Sequence, residues 1–358
     1  MGHARLGALA LVTATLVLGT AGTAAAQTSC PWMDTTKTPE ARAQALLDAS
    51  TLDQKLRWLD EQSANDPTNL NAGGRPLPAQ VPCTPFIAYA DGPTAVVAGT
   101  GVTAFPSQTA LAATFDQELA RRKGKAQGYE AFHKRRNVLL APGLSTARTP
   151  IAGRTSEYLG EDPLLSGLMA AAVVKGFGDN PSEPVESVLK HWVANEQEID
   201  RQTSSSNVDD RTLHELYTLP FEIAMKEGKP GGVMCSYNQI NGIYACNHPM
   251  LRSILKDEIG FDGWVVTDFG ASHSLTSTPN SLAAGLDQEL NRWRNWTPDT
   301  LKAALADGRI TQAMIDEAAF RVVRAHIRAG LFDTPLPAAP EGDVSTPADR
   351  AVAREEVE

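Results

Sequence analysis

Several things are scarce in this chain of 358 residues, and each scarcity removes a class of function. No CxxC pair occurs among the four cysteines, Cys30, Cys83, Cys235 and Cys246, so their spacing is not that of a zinc site. No two histidines stand at ligand spacing, and no metal or cofactor is expected. No GxGxxG follows the first strand-like run, which argues against a dinucleotide fold. Cations are outnumbered: Lys+Arg count 32 against Asp+Glu 42, a net charge of −10. Phosphate binding needs an excess of cations, so no nucleic acid is expected as a partner. The longest apolar run, Leu6 to Leu18, is too short to favour a membrane span. What remains is 42% hydrophobic and 21% charged, the balance of a chain that buries a core. The length fits one large domain or two of average size.

The first 26 residues read as an export leader. Arg5 gives a positive start, the apolar run follows, and Ala24-Ala25-Ala26 fits a small-residue cleavage site. Cleavage before Gln27 removes one cation and no acid, leaving the mature chain at −11. Secretion places the cysteines in an oxidising compartment, where bridges persist. Four cysteines allow three pairings. The favoured one joins Cys30 to Cys83 and Cys235 to Cys246, because the short loop Ser236–Ala245 closes easily.

Short apolar runs alternate with longer stretches of helical period. The runs are Phe86–Tyr89, Asn137–Leu140, Val185–Leu189, Gly232–Cys235 and Trp264–Thr267. The helical stretches are Gln108–Arg136, Pro163–Phe177, Asp210–Glu227, Pro249–Glu258, Pro298–Asp307 and Thr311–Ala329. Strands alternating with helices pair in parallel through helical crossovers. The expected fold is α/β, a (β/α)8 TIM-type barrel with some irregularity; a doubly wound open sheet is the alternative. In a parallel barrel, function gathers at the C-terminal ends of the strands. Those ends carry Asp91, Lys190, His191, Tyr237 and Asp268. Beyond Leu331, a Pro/Ala-rich stretch to Asp343 reads as a linker, and Ser345 to Asp349 reads as the start of another helix. The expected organisation is a leader at 1–26, a barrel at 27–330, and at 331–358 a linker with the start of a further domain.

Asp268 follows four apolar strand residues and precedes Gly270. A carboxylate there suits a nucleophile, a general base or a metal ligand, and equally a loop cap. Lys190 and His191 add donors, but adjacent strand residues face opposite ways. At most one lines the barrel unless the strand breaks. Glu196, Glu198, Asp200 and Arg201 read as a solvated loop, with Arg201 the residue that could turn inward. Glu161 and Asp162 precede Pro163 and read as helix-capping acids, whereas Arg154, after Gly153, can reach into a site with its fork of donors. Tyr89, Trp192, Tyr237 and Phe269 are aromatics close to these positions, suited to sugar stacking or to core packing.

Six ordered segments together resemble glycoside hydrolase family 3. They are YADGP (89–93), GRTSEYLGEDP (153–163), KHWVANEQEIDR (190–201), VMCSYNQINGIYACN (233–247), DGWVVTDFGA (262–271) and AGLDQEL (284–290). The resemblance runs from Thr51 to Leu331, close to the whole N-terminal barrel domain of that family. It implies a retaining β-glycosidase, read as a secreted β-glucosidase acting on oligosaccharides or aryl β-glycosides. A β-xylosidase or arabinosidase, or a non-catalytic carbohydrate-binding barrel, is the alternative. Asp268 matches the nucleophile. Asp91, Arg154, Lys190 and His191 match positions that hold the sugar hydroxyls. Tyr237, Met234 and Arg201 match pocket positions. The family usually has Trp after the nucleophile; here Phe269 keeps an aromatic wall without the indole N–H. Thr94 to Val97 lacks the Gly and Arg that commonly follow DGP. KHWVANE lacks the KHxPGHG pattern of the N-acetylglucosaminidase branch. In the glucosidase-like branch the acid/base Glu comes from a second, C-terminal domain, so no Glu of this chain is assigned that role.

Overall fold

The computed structural model describes residues 1–2, 30–60, 81–271, 278–290 and 295–358; the leader read at 1–26 lies almost wholly outside them. Among the described residues, eight strands run in chain order: β1 (Tyr89–Asp91), β2 (Val138–Leu140), β3 (Glu186–Trp192), β4 (Ser205–Ser206), β5 (Gly232–Cys235), β6 (Gln239–Ile240), β7 (Ile243–Tyr244) and β8 (Trp264–Thr267). Five of them form a parallel sheet in the order β1-β2-β3-β5-β8. β2, β3, β5 and β8 are buried along their whole length. Runs such as WVVT and VLL satisfy both buried faces of a parallel sheet, which alternating sequences would not.

The sheet curls towards closure through the 284–290 motif. Gln288 bridges Val266 on β8, and its neighbour Glu289 bridges Asp60. The Gln288 amide donates to the carbonyls of Trp58 and Asp60 at 3.1 and 3.0 Å, while its oxygen accepts from the Tyr89 hydroxyl on β1 at 2.9 Å. One buried side chain thus ties the last strand to the first, and the fold is an α/β barrel of TIM type with five regular strands and two bridged segments.

Helices pack outside. They are α1 (Pro39–Asp48), α2 (Leu52–Arg57), α3 (Gln108–Ala113), α4 (Gln117–His133), α5 (Pro163–Phe177), α6 (Asp210–Thr212), α7 (Leu219–Gly228), α8 (Thr278–Ala284), α9 (Pro298–Ala306), α10 (Gln312–Arg328) and α11 (Pro347–Glu355). A π-helical turn, Leu213–Thr218, joins α6 to α7, and Leu251–Glu258 is also π-helical. The stretch 108–136 read as one helix is two. Asp116 caps α4 by accepting from the amides of Glu118 and Leu119, and Phe115 before it takes a left-handed φ of 55°. Asp162 caps α5 as expected, accepting from Leu165 N at 2.7 Å with Pro163 behind it. α4 and α5 cross closely at Gly124 and Gly176: a Cβ on either would stand 2.2 Å from a backbone oxygen of the other helix.

Both favoured disulfides are present, Cys30–Cys83 and Cys235–Cys246. The second sits at the end of β5, where the loops after β3 and β5 pair with each other as the small sheet β4-β6-β7. The Pro/Ala-rich stretch ends against the barrel. Lys134 donates to the carbonyls of Glu341 and Gly342 at 2.7 and 2.6 Å, and Val344 N donates to Gly101 O. α11 follows with a Thr346–Asp349 capping box and packs on α4, with Glu355 paired to Arg122 at 2.6 Å.

Candidate active site

The residues named at strand ends converge on one mouth. Asp268 follows β8 directly and is 6% exposed. Its backbone amide donates to Cys235 O at the end of β5, which anchors it to the neighbouring strand. Oδ1 accepts from the Phe269 amide at 2.7 Å, whereas Oδ2 is buried and has no hydrogen bond among the described residues. Burial pushes the carboxyl up to about 6, against the pull of Lys190, Arg154, the Phe269 amide and Tyr237. The group is therefore ionised at neutral pH and more basic than an ordinary carboxylate.

Lys190 and His191 both serve this mouth. β3 runs on through them to Trp192, and its pairing with β5 shifts register between Lys190 and Trp192. That irregularity is the break on which the two-faced expectation turned. Lys190 Nζ lies 2.5 Å from Asp91 Oδ1 at the end of β1 and 3.8 Å from Glu157 Oε2. His191 Nε2 stands 3.3 Å from Asp268 Oδ2. Burial, with Arg154, Lys190 and Arg201 nearby, holds His191 well below its ordinary pKa, so the ring is neutral.

Arg154 reaches in from the loop after β2. Its Nε and Nη2 grip the two oxygens of Glu157 at 2.7 and 2.8 Å. Burial opposes the charges of both partners, yet the fork wins: Arg154 is raised and Glu157 lowered. The loop is seated by Gly143, where a Cβ would come within 2.3 Å of the Glu157 carbonyl. Tyr237 donates to Phe269 O at 2.6 Å, and the Arg201 guanidinium lies 4.1 Å over its ring. Arg201 is held there by Glu198 at 2.5 Å and so turns inward. Met234 is buried on β5, in register between Lys190 and Val266. Phe269 is 43% exposed and forms a rim beside Asp268.

Glu196 is not in a solvated loop. It is 5% exposed, and burial lifts its carboxyl to about 8 despite the Thr146 backbone and Arg148. Sequence reasoning also passed over Glu157 and Tyr158 as site residues. Glu157 sits three residues after Arg154 across a single 3-10 turn, Thr155–Glu157, and that spacing was the available signal. The acids of the 284–290 motif are structural instead. Asp287 pairs with buried Lys256 at 2.7 Å, and Glu289 accepts from the amides of Asn295 and Trp296.

Cations, donors and the buried Asp268 carboxylate gathered at the strand ends suit the binding of a polyhydroxylated ligand with its reacting carbon against Asp268 Oδ2. Comparison with known proteins gives this arrangement a context. The chain is 40% identical over 279 residues to a beta-glucosidase of Rhizobium radiobacter, covering 76% of this chain and 33% of that one. It is 39% identical over 218 residues to an exo-alpha-(1->6)-L-arabinopyranosidase of Bifidobacterium breve, covering 61% and 28%. Among solved structures, the beta-D-glucoside glucohydrolase of Trichoderma reesei superposes with a TM-score of 0.77 at 32% identity, over 91% of this chain and 45% of that one. The chain thus spans about a third of the length of these curated relatives. The family model described as the glycosyl hydrolase family 3 N terminal domain matches residues 78–325, and the chain belongs to that family.

Proposed function

We propose that this domain is the nucleophile-bearing barrel of a retaining β-glycosidase that removes terminal, non-reducing β-D-glucosyl residues. The observation that carries the reading is Asp268: a buried carboxylate at a strand end, with Oδ1 held by the Phe269 amide and Oδ2 without a hydrogen bond among the described residues but facing His191, and with Lys190 and Arg154 close by. Asp268 Oδ2 attacks the anomeric carbon, the bond to the leaving oxygen breaks, and a general acid protonates that oxygen. Water then attacks the anomeric carbon from the face the leaving group vacated, opposite Asp268, giving its proton to the conjugate base of the general acid, and Asp268 is released as the carboxylate. Retention places the two carboxyls about 5–5.5 Å apart. Asp91 and Glu157 share the mouth but are each committed to a cation, Lys190 and Arg154 respectively. Glu157 is held ionised and is a poor proton donor. The general acid in this reading comes from outside these 358 residues, in the part of the relatives that this chain does not span. The reading also includes export from the cell, which the two disulfides favour.

The test is covalent trapping. A 2-deoxy-2-fluoro-β-glucoside with an activated leaving group should add one glycosyl mass to the peptide carrying Asp268, and Asp268→Asn should abolish the label. A label on another residue defeats the assignment of Asp268 as nucleophile, and none on the wild type defeats the reading as a whole and favours a sugar-binding barrel. The similarity to an arabinopyranosidase keeps a pentopyranose in view. Relative rates on nitrophenyl β-glucoside and α-L-arabinopyranoside decide between the two.

A further inference from the structure

One buried group at the site has no part in the reaction just described. Tyr158 is 1% exposed and follows Glu157 in the loop after β2. Its hydroxyl lies 3.3 Å from Nδ1 of His191, and the two rings meet edge to face at 6.1 Å and 89°. The Tyr158 backbone is pinned independently, through a bridge to Gly143 and a bond from Thr109 Oγ1 to its carbonyl at 2.9 Å. Its hydroxyl therefore has a fixed address against the imidazole.

His191 is neutral, so one ring nitrogen carries a proton and the other a lone pair. Nε2 faces Asp268 Oδ2 at 3.3 Å. At that distance a carboxylate attracts an N–H and repels a lone pair, even where the angle is not that of a hydrogen bond. Nδ1 must then accept, and among the described residues the Tyr158 hydroxyl is its hydrogen-bond partner. We propose that Tyr158 is a positioning residue: it donates to Nδ1, locks His191 as the Nε2–H tautomer, and so keeps a donor aimed into the pocket beside Asp268. With the other tautomer the site would present a lone pair against the Asp268 carboxylate.

The tautomer can be read without substrate, so the proposal stands or falls separately from the glycosidase reading on which its consequence rests. Protein labelled with 15N-histidine reports each ring nitrogen by its long-range 1H–15N pattern, with the His191 signals identified by their loss in His191→Asn. At pH 7 the wild type should show Nε2 protonated and Nδ1 bare, and Tyr158→Phe should convert this to a mixture. An Nδ1–H ring or an imidazolium in the wild type overturns the proposal, as does an unchanged pattern in Tyr158→Phe. Should the phenylalanine variant not fold, 3,5-difluorotyrosine at position 158 keeps the ring in place with a stronger donor. It must move the Nδ1 resonance, and no movement is refutation. In the reaction, Tyr158→Phe should slow labelling of Asp268 by about tenfold or more, because a misoriented donor no longer supports the developing charge. If the wild type is never labelled while the tautomer is as stated, the glycosidase reading fails and the positioning role remains.

Discussion

Charge at the mouth is governed by what each carboxyl touches. Asp268, Glu157 and Glu196 lie on loops or strand ends of one barrel, yet their proton affinities diverge. Asp268 is raised to about 6 by burial, Glu157 is lowered by its grip on Arg154, and Glu196 is raised to about 8 by burial. Asp268 must be ionised to attack carbon. The rate constant for labelling by the fluoroglycoside should therefore fall about tenfold per pH unit below about 6, an acid limb higher than a solvated aspartate would give. A limb near 4 would mean that water reaches the carboxylate. Glu196 makes the opposite kind of statement, about stability. Its folded pKa lies above the ordinary 4.5, so between 4.5 and about 8 the folded state binds the proton that the unfolded chain has released. Stability from this group accordingly declines as pH rises through that window, by on the order of a few kcal/mol. Glu196→Gln cannot ionise, so denaturant unfolding at pH 5 and at pH 8 should differ less in the variant than in the wild type. Equal slopes would place Glu196 in water.

Elements hold these residues through close approach more than through side-chain bulk. The strand runs were legible because WVVT, VLL and GVMC are apolar on both faces, and the polar residue after each marks the mouth. The break in β3 was not legible. Nothing in Leu189-Lys190-His191-Trp192 announces a register shift, which arises from how β3 must pair with β5 on one side and β2 on the other. The helix pair outside is set by glycine. At Gly124, α4 comes so near α5 that an added Cβ would meet the Val173 carbonyl at 2.2 Å. Gly124→Ala should thus destabilise by about 1–3 kcal/mol despite the better helix propensity of alanine. A thermal melt that rises instead would mean the helices separate at no cost.

For the whole molecule, the bridges and the Gln288 contacts do what regular strands do not. Cys30–Cys83 closes a segment of 53 residues and Cys235–Cys246 one of 11. If loop entropy dominates, removing the first by double serine substitution should cost about 4 kcal/mol and removing the second about 3 kcal/mol. Denaturant titration of the two variants reads both values; a larger loss from the shorter loop would point to the packing of the loops after β3 and β5 instead of chain entropy.

By itself the sequence determined the alternation of strand and helix, the capped helix starts at Asp162 and Thr346, and the strand-end positions from which Asp91, Lys190 and Asp268 emerge; among the three cysteine pairings it only favoured the one the structure shows. These follow from local rules of period, capping and loop closure, which act within a few residues. Tertiary structure alone decided that Glu196 is buried, that Glu157 bridges Arg154 and Lys190, that Arg201 lies on Tyr237, and that His191 stands between Tyr158 and Asp268. Desolvation and Coulomb interaction act through space between groups far apart in the chain, and no local pattern of residues encodes those distances.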